Sequence, residues 1–335
     1  MATSRAVLLA IVLLGAAVAC GDGGGGSSGT EAGGSEEGGS GEAAFPVTIE
    51  HQFGETTVEE EPERVVSLGL QEHDTIFALG VEPVAVRYWY GPEDDVIHPW
   101  AEEAAGDADP EILVMPELNV EAVAALEPDL ILGIYSGITE EEYDLLSGLA
   151  PTVAQTGEHV EYGTPWQETV RTTGRALGLS DRAEELVAGL EARFAEEREA
   201  HPEWEGREVA IATYGPDTVG FFASDDPRAR FFRALGFEVP DELNEIAGDA
   251  FYGEISFEEV GALDHDLLVW DQLAYTPGGR ATVEGDRLVQ RLAATTEGRT
   301  VFLEGLAEDA FAWNTVLSQP TALDALVPMI EEALG

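Results

Sequence analysis

Arg87-Tyr88-Trp89-Tyr90 is the densest run of side chains able to grip a ligand. It follows Pro83-Val84-Ala85-Val86, which reads as a strand. Successive strand residues point to opposite faces, so a row of aromatics cannot enter one core together. Some are left to meet solvent or a ligand. Aromatic faces accept rings and apolar bodies, and a guanidinium accepts anionic oxygens. Other apolar runs are followed by similar residues. Gln71-Glu72-His73 comes after the 65–68 run, Tyr135 and Ser136 after 130–134, and Tyr214 after 209–213. Trp270-Asp271-Gln272-Leu273-Ala274-Tyr275 follows 266–269, and Tyr252, Phe221 and Trp313 are further candidates. Arg228 and Arg230, near Phe231 and Phe232, form the main basic patch. The plainer readings are rim packing for the aromatics and helix-surface ion pairing for the arginines.

Catalytic patterns fare worse. No Gly-x-Ser-x-Gly elbow stands between a strand and a helix. The six histidines, His51, His73, His98, His159, His201 and His265, show no His-x-x-x-His spacing. Cys20 is the single cysteine, which excludes an intrachain disulfide and a Cys-based structural metal site. There are 66 acidic residues against 16 basic ones, all arginine, for a net charge of -50. With no lysine, a phosphate-binding loop of the Gly-rich, Lys-ending type is excluded. Such a charge repels nucleic acid and anionic membrane surfaces. It reflects either a highly solvated surface or a salty habitat, which a thermal melt in low and molar salt separates.

The N-terminus indicates the compartment. Arg5 precedes an apolar run over 6–14, then small residues lead to Cys20. The run is too short for a stable membrane span and has the layout of a secretory signal over 1–19. Ala17-Val18-Ala19-Cys20 resembles a bacterial lipoprotein processing site, which implies acylation of Cys20 as the first mature residue. The usual Leu of that pattern is Ala17 here. The stretch after Cys20 to 44 is Gly, Ser, Glu and Thr in low-complexity order. It cannot bury enough apolar surface to offset its ordering entropy, so 20–44 reads as a lipidated cysteine with a flexible tether.

From Phe45 onward, short apolar runs alternate with helical patterns: strands over 65–68, 83–86, 130–134 and 151–154, helices over 72–79, 119–126 and 140–148. Such alternation predicts parallel sheet built from βαβ units. One long helical stretch covers 166–200, with Gly178 and Ser180-Asp181 as points where it bends or breaks. A second α/β series then begins near Arg207, with strands over 209–213 and 266–270 and helices over 228–235, 256–263, 288–294 and 322–334. The halves repeat locally. The 119–132 segment matches 256–269 in register, and Phe77-Ala78-Leu79-Gly80 echoes Arg233-Ala234-Leu235-Gly236. The expected fold is α/β: two Rossmann-like lobes, 45–160 and 206–335, bridged by a single long helix within 161–205. A ligand would sit in the cleft between them, at the carboxyl ends of strands.

The order of several short pieces carries a family resemblance. They are Pro62-Glu63-Arg64-Val65-Val66-Ser67-Leu68, Leu79-Gly80-Val81-Glu82-Pro83-Val84, Asn119-Val120-Glu121 with Pro128-Asp129-Leu130-Ile131-Leu132, the Trp166 helix with Leu177-Gly178, Leu235-Gly236-Phe237, Ile255-Ser256-Phe257-Glu258 with Asp266-Leu267-Leu268, and Ser318 to Leu323. Together they make 45–335 resemble the substrate-binding proteins of bacterial ABC importers for ferric siderophores, haem and cobalamin. The resemblance implies a monomer with little hinge motion, no cofactor, a membrane permease and a cytoplasmic ATPase as partners, and contact with the membrane through a lipid anchor only. It implies that Arg87, Tyr88, Trp89, Tyr90, Tyr135, Tyr214, Arg228, Arg230, Tyr252, Trp270, Tyr275 and Trp313 are the candidates for ligand contact, with the arginines receiving an anionic iron chelate. Glu121 and Glu258, in the first turns of equivalent helices, would dock the permease. Their plainer role is helix-dipole stabilisation of about 0.3–1 kcal/mol, and Glu259 could complete a capping box with Ser256. Alternatives are haem, cobalamin or a bare divalent metal, for which His73 and His159 give scant support. A cell-surface hydrolase or adhesion module is more distant.

Overall fold

The computed structural model describes residues 45–88, 96–114, 118–159 and 162–335. Cys20, the leader, the tether, Trp89 and Tyr90 lie outside the described residues. An antiparallel hairpin of β1 (Val47–His51) and β2 (Gly54–Val58) opens the chain. The first lobe follows as β3 (Val65–Ser67), α1 (Glu72–Ala78), β4 (Ala85–Arg87), α2 (Glu102–Ala105), β5 (Glu111–Leu113), α3 (Val120–Ala125), β6 (Leu130–Gly133), α4 (Glu140–Ser147) and β7 (Thr152–Ala154). Its strands are all parallel in the order β5-β4-β3-β6-β7. The winding therefore reverses at β3. The loops leaving β3 and β6 flank that switch point, where open α/β sheets hold ligands. Local signals set the helices. Asn119 caps α3, Thr139 forms a capping box with Glu142 on α4, and Gly80 closes the turn after α1 at φ +81.

The 166–200 stretch is two helices rather than one. α5 (Trp166–Ala176) and α6 (Ser180–Ala200) fold back on each other around Gly178 at φ +69, a conformation that favours glycine. Their antiparallel pairing is marked by Arg171 Nε–Glu184 Oε1 at 2.9 Å and Gln167 Nε2–Glu191 Oε1 at 3.2 Å. Gly174 permits the approach, because a Cβ there would sit 2.4 Å from that of Ala183. α6 reaches onward to the second lobe, bringing Phe194 to 5.2 Å from the Phe231 ring.

The second lobe comprises β8 (Val209–Tyr214), β9 (Val219–Phe222), α7 (Pro227–Ala234), α8 (Asp241–Ala247), β10 (Tyr252–Ile255), a 3-10 helix (Phe257–Leu263), β11 (Leu267–Trp270), α9 (Arg280–Gly285), α10 (Ala293–Thr296), β12 (Thr300–Phe302), α11 (Leu306–Trp313) and α12 (Ser318–Leu334). Its sheet, β10-β9-β8-β11-β12, copies the winding of the first with one change: β9 runs antiparallel to both neighbours. The cause is local. Gly215-Pro216-Asp217-Thr218 makes a tight turn, closed by the Gly215 N–H donating to the Thr218 carbonyl at 3.0 Å. A hairpin thus replaces a helical crossover.

The repeated segments occupy equivalent places. Asp129 accepts the Glu63 and Arg64 N–H groups at 2.8 Å each, and Asp266 accepts the Glu208 N–H at 3.0 Å. Each aspartate so fixes the entry of its lobe's central strand. The second copy is a 3-10 rather than an α-helix, and carries Gly261, a poor helix former, where the first has Ala124.

Strand alternation builds the core. Val65, Leu130, Leu132, Val209, Ile211, Leu267 and Val269 enter one cluster shared by both lobes and by α5, α6, α7, α11 and α12. Val66 and Ile131 face a separate first-lobe cluster; Ala210, Ala212, Leu268 and Trp270 face a second-lobe cluster. The inner faces of both sheets are therefore one continuous apolar body.

Candidate functional site

A cleft of about 430 Å³ opens between the lobes. The first lobe contributes Leu70 and Gln71 from the loop after β3 and Tyr135 from the loop after β6; Tyr162 adds a ring 5.5 Å from that of Tyr135. The second contributes Phe222 at the end of β9, the start of α7, Phe251 and Tyr252 entering β10, and Gln272 after β11. Asn314, following α11, closes the floor. Tyr252 lies across the sheet. Its hydroxyl is 3.1 Å from Thr213 Oγ1 and its ring 5.4 Å from Phe222. Gly220 makes that possible, since a Cβ at this position would fall 1.8 Å from the Tyr252 hydroxyl.

Arg228 is the electrostatic centre. Its Nε donates to Asp271 Oδ2 at 2.8 Å, its Nη1 lies 3.4 Å from Asp226 Oδ1, and its Cζ stands 4.3 Å above the Phe222 ring. The side chains of Arg228, Asp226 and Asp271 are 11%, 2% and 0% exposed. Asp226 also caps α7 by accepting the Arg228 N–H. Burial alone would lower the guanidinium's pKa; the two carboxylates reverse this and raise it. Burial raises both carboxylates against the opposing pull of Arg228.

Glu72 lies beneath the cleft, fully buried, with Oε1 accepting the Tyr135 N–H at 2.8 Å. It pins the loop that presents Tyr135. Gly69 lies against the carboxylate, and a Cβ there would meet Glu72 Oε2 at 2.1 Å. Burial pushes the Glu72 carboxyl up to about 7, opposed by hydrogen bonds from the backbone of Tyr135, Ile134 and Gly69. Next to it, Asp74 accepts Trp100 Nε1 at 2.9 Å and Thr315 Oγ1 at 2.5 Å, joining α1 to the segment after α11.

Of the residues anticipated from sequence, the cleft gathers Tyr135, Arg228 and Tyr252, together with Gln71. Arg230 lies nearby but donates Nη1 to the Gly163 carbonyl at 2.6 Å. Several placements are corrected. Trp270 and Phe221 are fully buried in the second-lobe core, because alternate positions of β11 and β9 face inward. Trp313 is buried among His73, His98 and Trp100, with ring centroids 5.9, 4.3 and 6.2 Å away. His73 is buried there too, and Ser136 is buried with its hydroxyl donating to the Gly133 carbonyl. Tyr214 points into the edge of the core, donating its hydroxyl to Asp286 Oδ2 at 2.9 Å. Tyr275 is 62% exposed and outside the cleft wall. Arg87 and Tyr88 are partly buried at the end of β4, apart from that wall.

Sequence reasoning missed Phe222, Phe251 and Asp226 as site residues. Asp226-Pro227 is a helix-start signature that could have located the capping carboxylate. His159 pairs with Glu168 at 2.8 Å. Among the described residues, no group of three or more His, Cys, Asp or Glu is arranged to hold a metal ion. Glu121 and Glu258 are exposed in the first turns of their helices, and Glu259 rather than Glu258 completes the capping box with Ser256.

A preformed cleft between two lobes with a common core is the architecture of a solute receptor. The chain belongs to the periplasmic binding protein family, whose model matches residues 65–305. It is similar to a periplasmic solute binding protein from Mycobacterium smegmatis, with 31% identity, coverage of 86% of this chain and 99% of that one, and a TM-score of 0.76. It is also similar to PiaA from Streptococcus pneumoniae, solved in complex with ferrichrome, at 30% identity over 86% of this chain and 98% of that one, with a TM-score of 0.72. The probable siderophore-binding lipoprotein YfiY of Bacillus subtilis is 26% identical over 232 residues, 67% of this chain and 68% of that protein.

Proposed function

We propose that this protein captures a ferric siderophore outside the cytoplasmic membrane and delivers it to an ABC permease for iron import. The observation that carries the reading is the interlobe cleft, walled by Tyr135, Phe222, Phe251 and Tyr252, in a family of binding proteins. Aromatic walls with a few polar groups suit an organic chelate. The protein acts by binding and release, as a monomer and without catalysis, and its ligand is cargo rather than cofactor. Ligand contacts fall to Tyr135, Arg228, Tyr252, Gln71 and Gln272. The lobes are 45–160 and 206–335, with 161–205 between them. Lipid on Cys20 and the tether to 44 hold the receptor near its permease, in line with the lipoprotein relative. No helix among the described residues is long and apolar enough to cross a membrane.

Titration of the tryptophan fluorescence with ferric siderophores, haem, cobalamin and Zn tests the reading. Saturable quenching at sub-micromolar ferric siderophore is expected. Quenching by haem or cobalamin alone would replace it with one of those ligands. Glu121 and Glu258 are proposed to dock the permease, each lobe offering one exposed carboxylate, a contact that orients more than it binds. The double substitution Glu121→Ala, Glu258→Ala is expected to leave ligand affinity intact and to impair uptake. Normal uptake by that variant sinks the docking role.

A further inference from the structure

We infer that the cleft selects ferric chelates without net negative charge, tris-hydroxamates in preference to tris-catecholates. The inference rests on the siderophore reading above and deepens it. A ferric ion held by hydroxamates is neutral, because each ligand group carries a single charge; held by catecholates it is a trianion. A receptor for the trianion needs positive charge left over after its internal pairs are satisfied.

The cleft has little. Arg228 is the sole basic residue of its wall among the described residues. It is already held by Asp226 and Asp271, both essentially inaccessible to water. A guanidinium cannot shed its proton, and burial at this depth requires a counter-charge, so at least one carboxylate is ionised. Arg228 therefore presents a dipolar group, not a free cation. Arg230 keeps its charge but is tied to Gly163 and lies in the field of Asp225 and Asp226. The segments 89–95, 115–117 and 160–161, outside the described residues, contain no basic residue in their sequence. The whole chain, at -50, opposes the approach of a trianion. What the wall does offer is neutral: the Tyr135 and Tyr252 hydroxyls and the Gln71, Gln272 and Asn314 amides. Burial holds the Tyr135 hydroxyl well above the usual phenol range, so it remains a donor. Neutral donors and rings around a compensated guanidinium match a neutral, oxygen-faced chelate.

The test is a fluorescence titration of the intact protein with a ferric tris-hydroxamate and a ferric tris-catecholate, in low and high salt. The tris-hydroxamate should bind at least about tenfold tighter, with an affinity nearly independent of salt. In the variant Asp226→Asn, Asp271→Asn, which strips Arg228 of its partners, catecholate affinity should rise by about tenfold while hydroxamate affinity moves less. Circular dichroism reports whether that variant folds; if it does not, the wild-type comparison decides alone. Catecholate binding equal to or tighter than hydroxamate binding in the wild type overturns the inference and leaves the siderophore reading standing. Saturable binding of neither overturns the siderophore reading itself.

Discussion

Replacing Arg228 by methionine is expected to lower the unfolding free energy by about 3–5 kcal/mol at neutral pH. Methionine fills much of the same space over the Phe222 ring, so packing changes little. What changes is charge. Asp226 and Asp271, 2% and 0% exposed, lose the guanidinium that neutralises them. Burial already raises both carboxyl pKa values against that partner, and without it they rise further. A raised acid pKa means that the native state holds protons which the unfolded chain has released. Stability should therefore return as the pH falls, and denaturant titrations of R228M at acidic and neutral pH should differ more than those of the wild type. Adding Asp226→Asn and Asp271→Asn to R228M should recover most of the loss, since removing a whole buried ion cluster is far less costly than orphaning one side of it. Equal stability of R228M and wild type at neutral pH would show that the carboxylates are not held as ions.

The second large effect concerns Glu72. Burial pushes its carboxyl up to about 7 from an ordinary 4.5. Between these values the folded protein binds a proton that the unfolded chain does not. The contribution is fully present below pH 4.5 and is lost as the pH rises through about 7. Glu72→Gln removes this titration while keeping an oxygen to accept the Tyr135 N–H. The stability difference between wild type and E72Q should shift by about 3 kcal/mol across that window, in favour of the variant as pH rises. Asp74, raised to about 6, and Glu308, raised to about 7, act with the same sign. His73, lowered to about 4, acts with the opposite sign. These terms cancel when the variant is compared with its parent at each pH. A pH-independent difference would place the Glu72 titration elsewhere.

Contiguous signals were readable in the sequence, and distant partnerships were not. The run at 130–133 was visible as an apolar strand, and Gly80 as a helix stop, because both signals lie within a few residues. Gly178 was a possible break; that the chain reverses there depends on Gly174 meeting Ala183, which no local pattern records. The β8–β9 hairpin escaped notice because the repeat between 119–132 and 256–269 drew the second lobe as a copy of the first. The hairpin turn at 215–218 overrides that symmetry. In the cleft, Tyr135 and Tyr252 were named because aromatic residues stand out by type. Trp270 stands out equally but faces inward, while its neighbour Asp271 faces Arg228. Alternation along β11 separates the two, yet the choice of face is set by the packing of the other lobe. The Arg228–Asp271 pair spans 43 residues of chain and is invisible to any window of local reading.

The common core has a bearing on signalling. Val65, Leu130, Val209 and Leu267 pack into one body with α6. With the little hinge motion that the family resemblance implies, that shared core would give the receptor almost the same outline empty and full. Under the proposed function, a permease cannot recognise a loaded receptor by its posture. The distinguishing mark would be the cargo itself, presented between the lobes that carry the two proposed docking carboxylates, Glu121 and Glu258. Transport fidelity would then depend on reading the contents rather than the container.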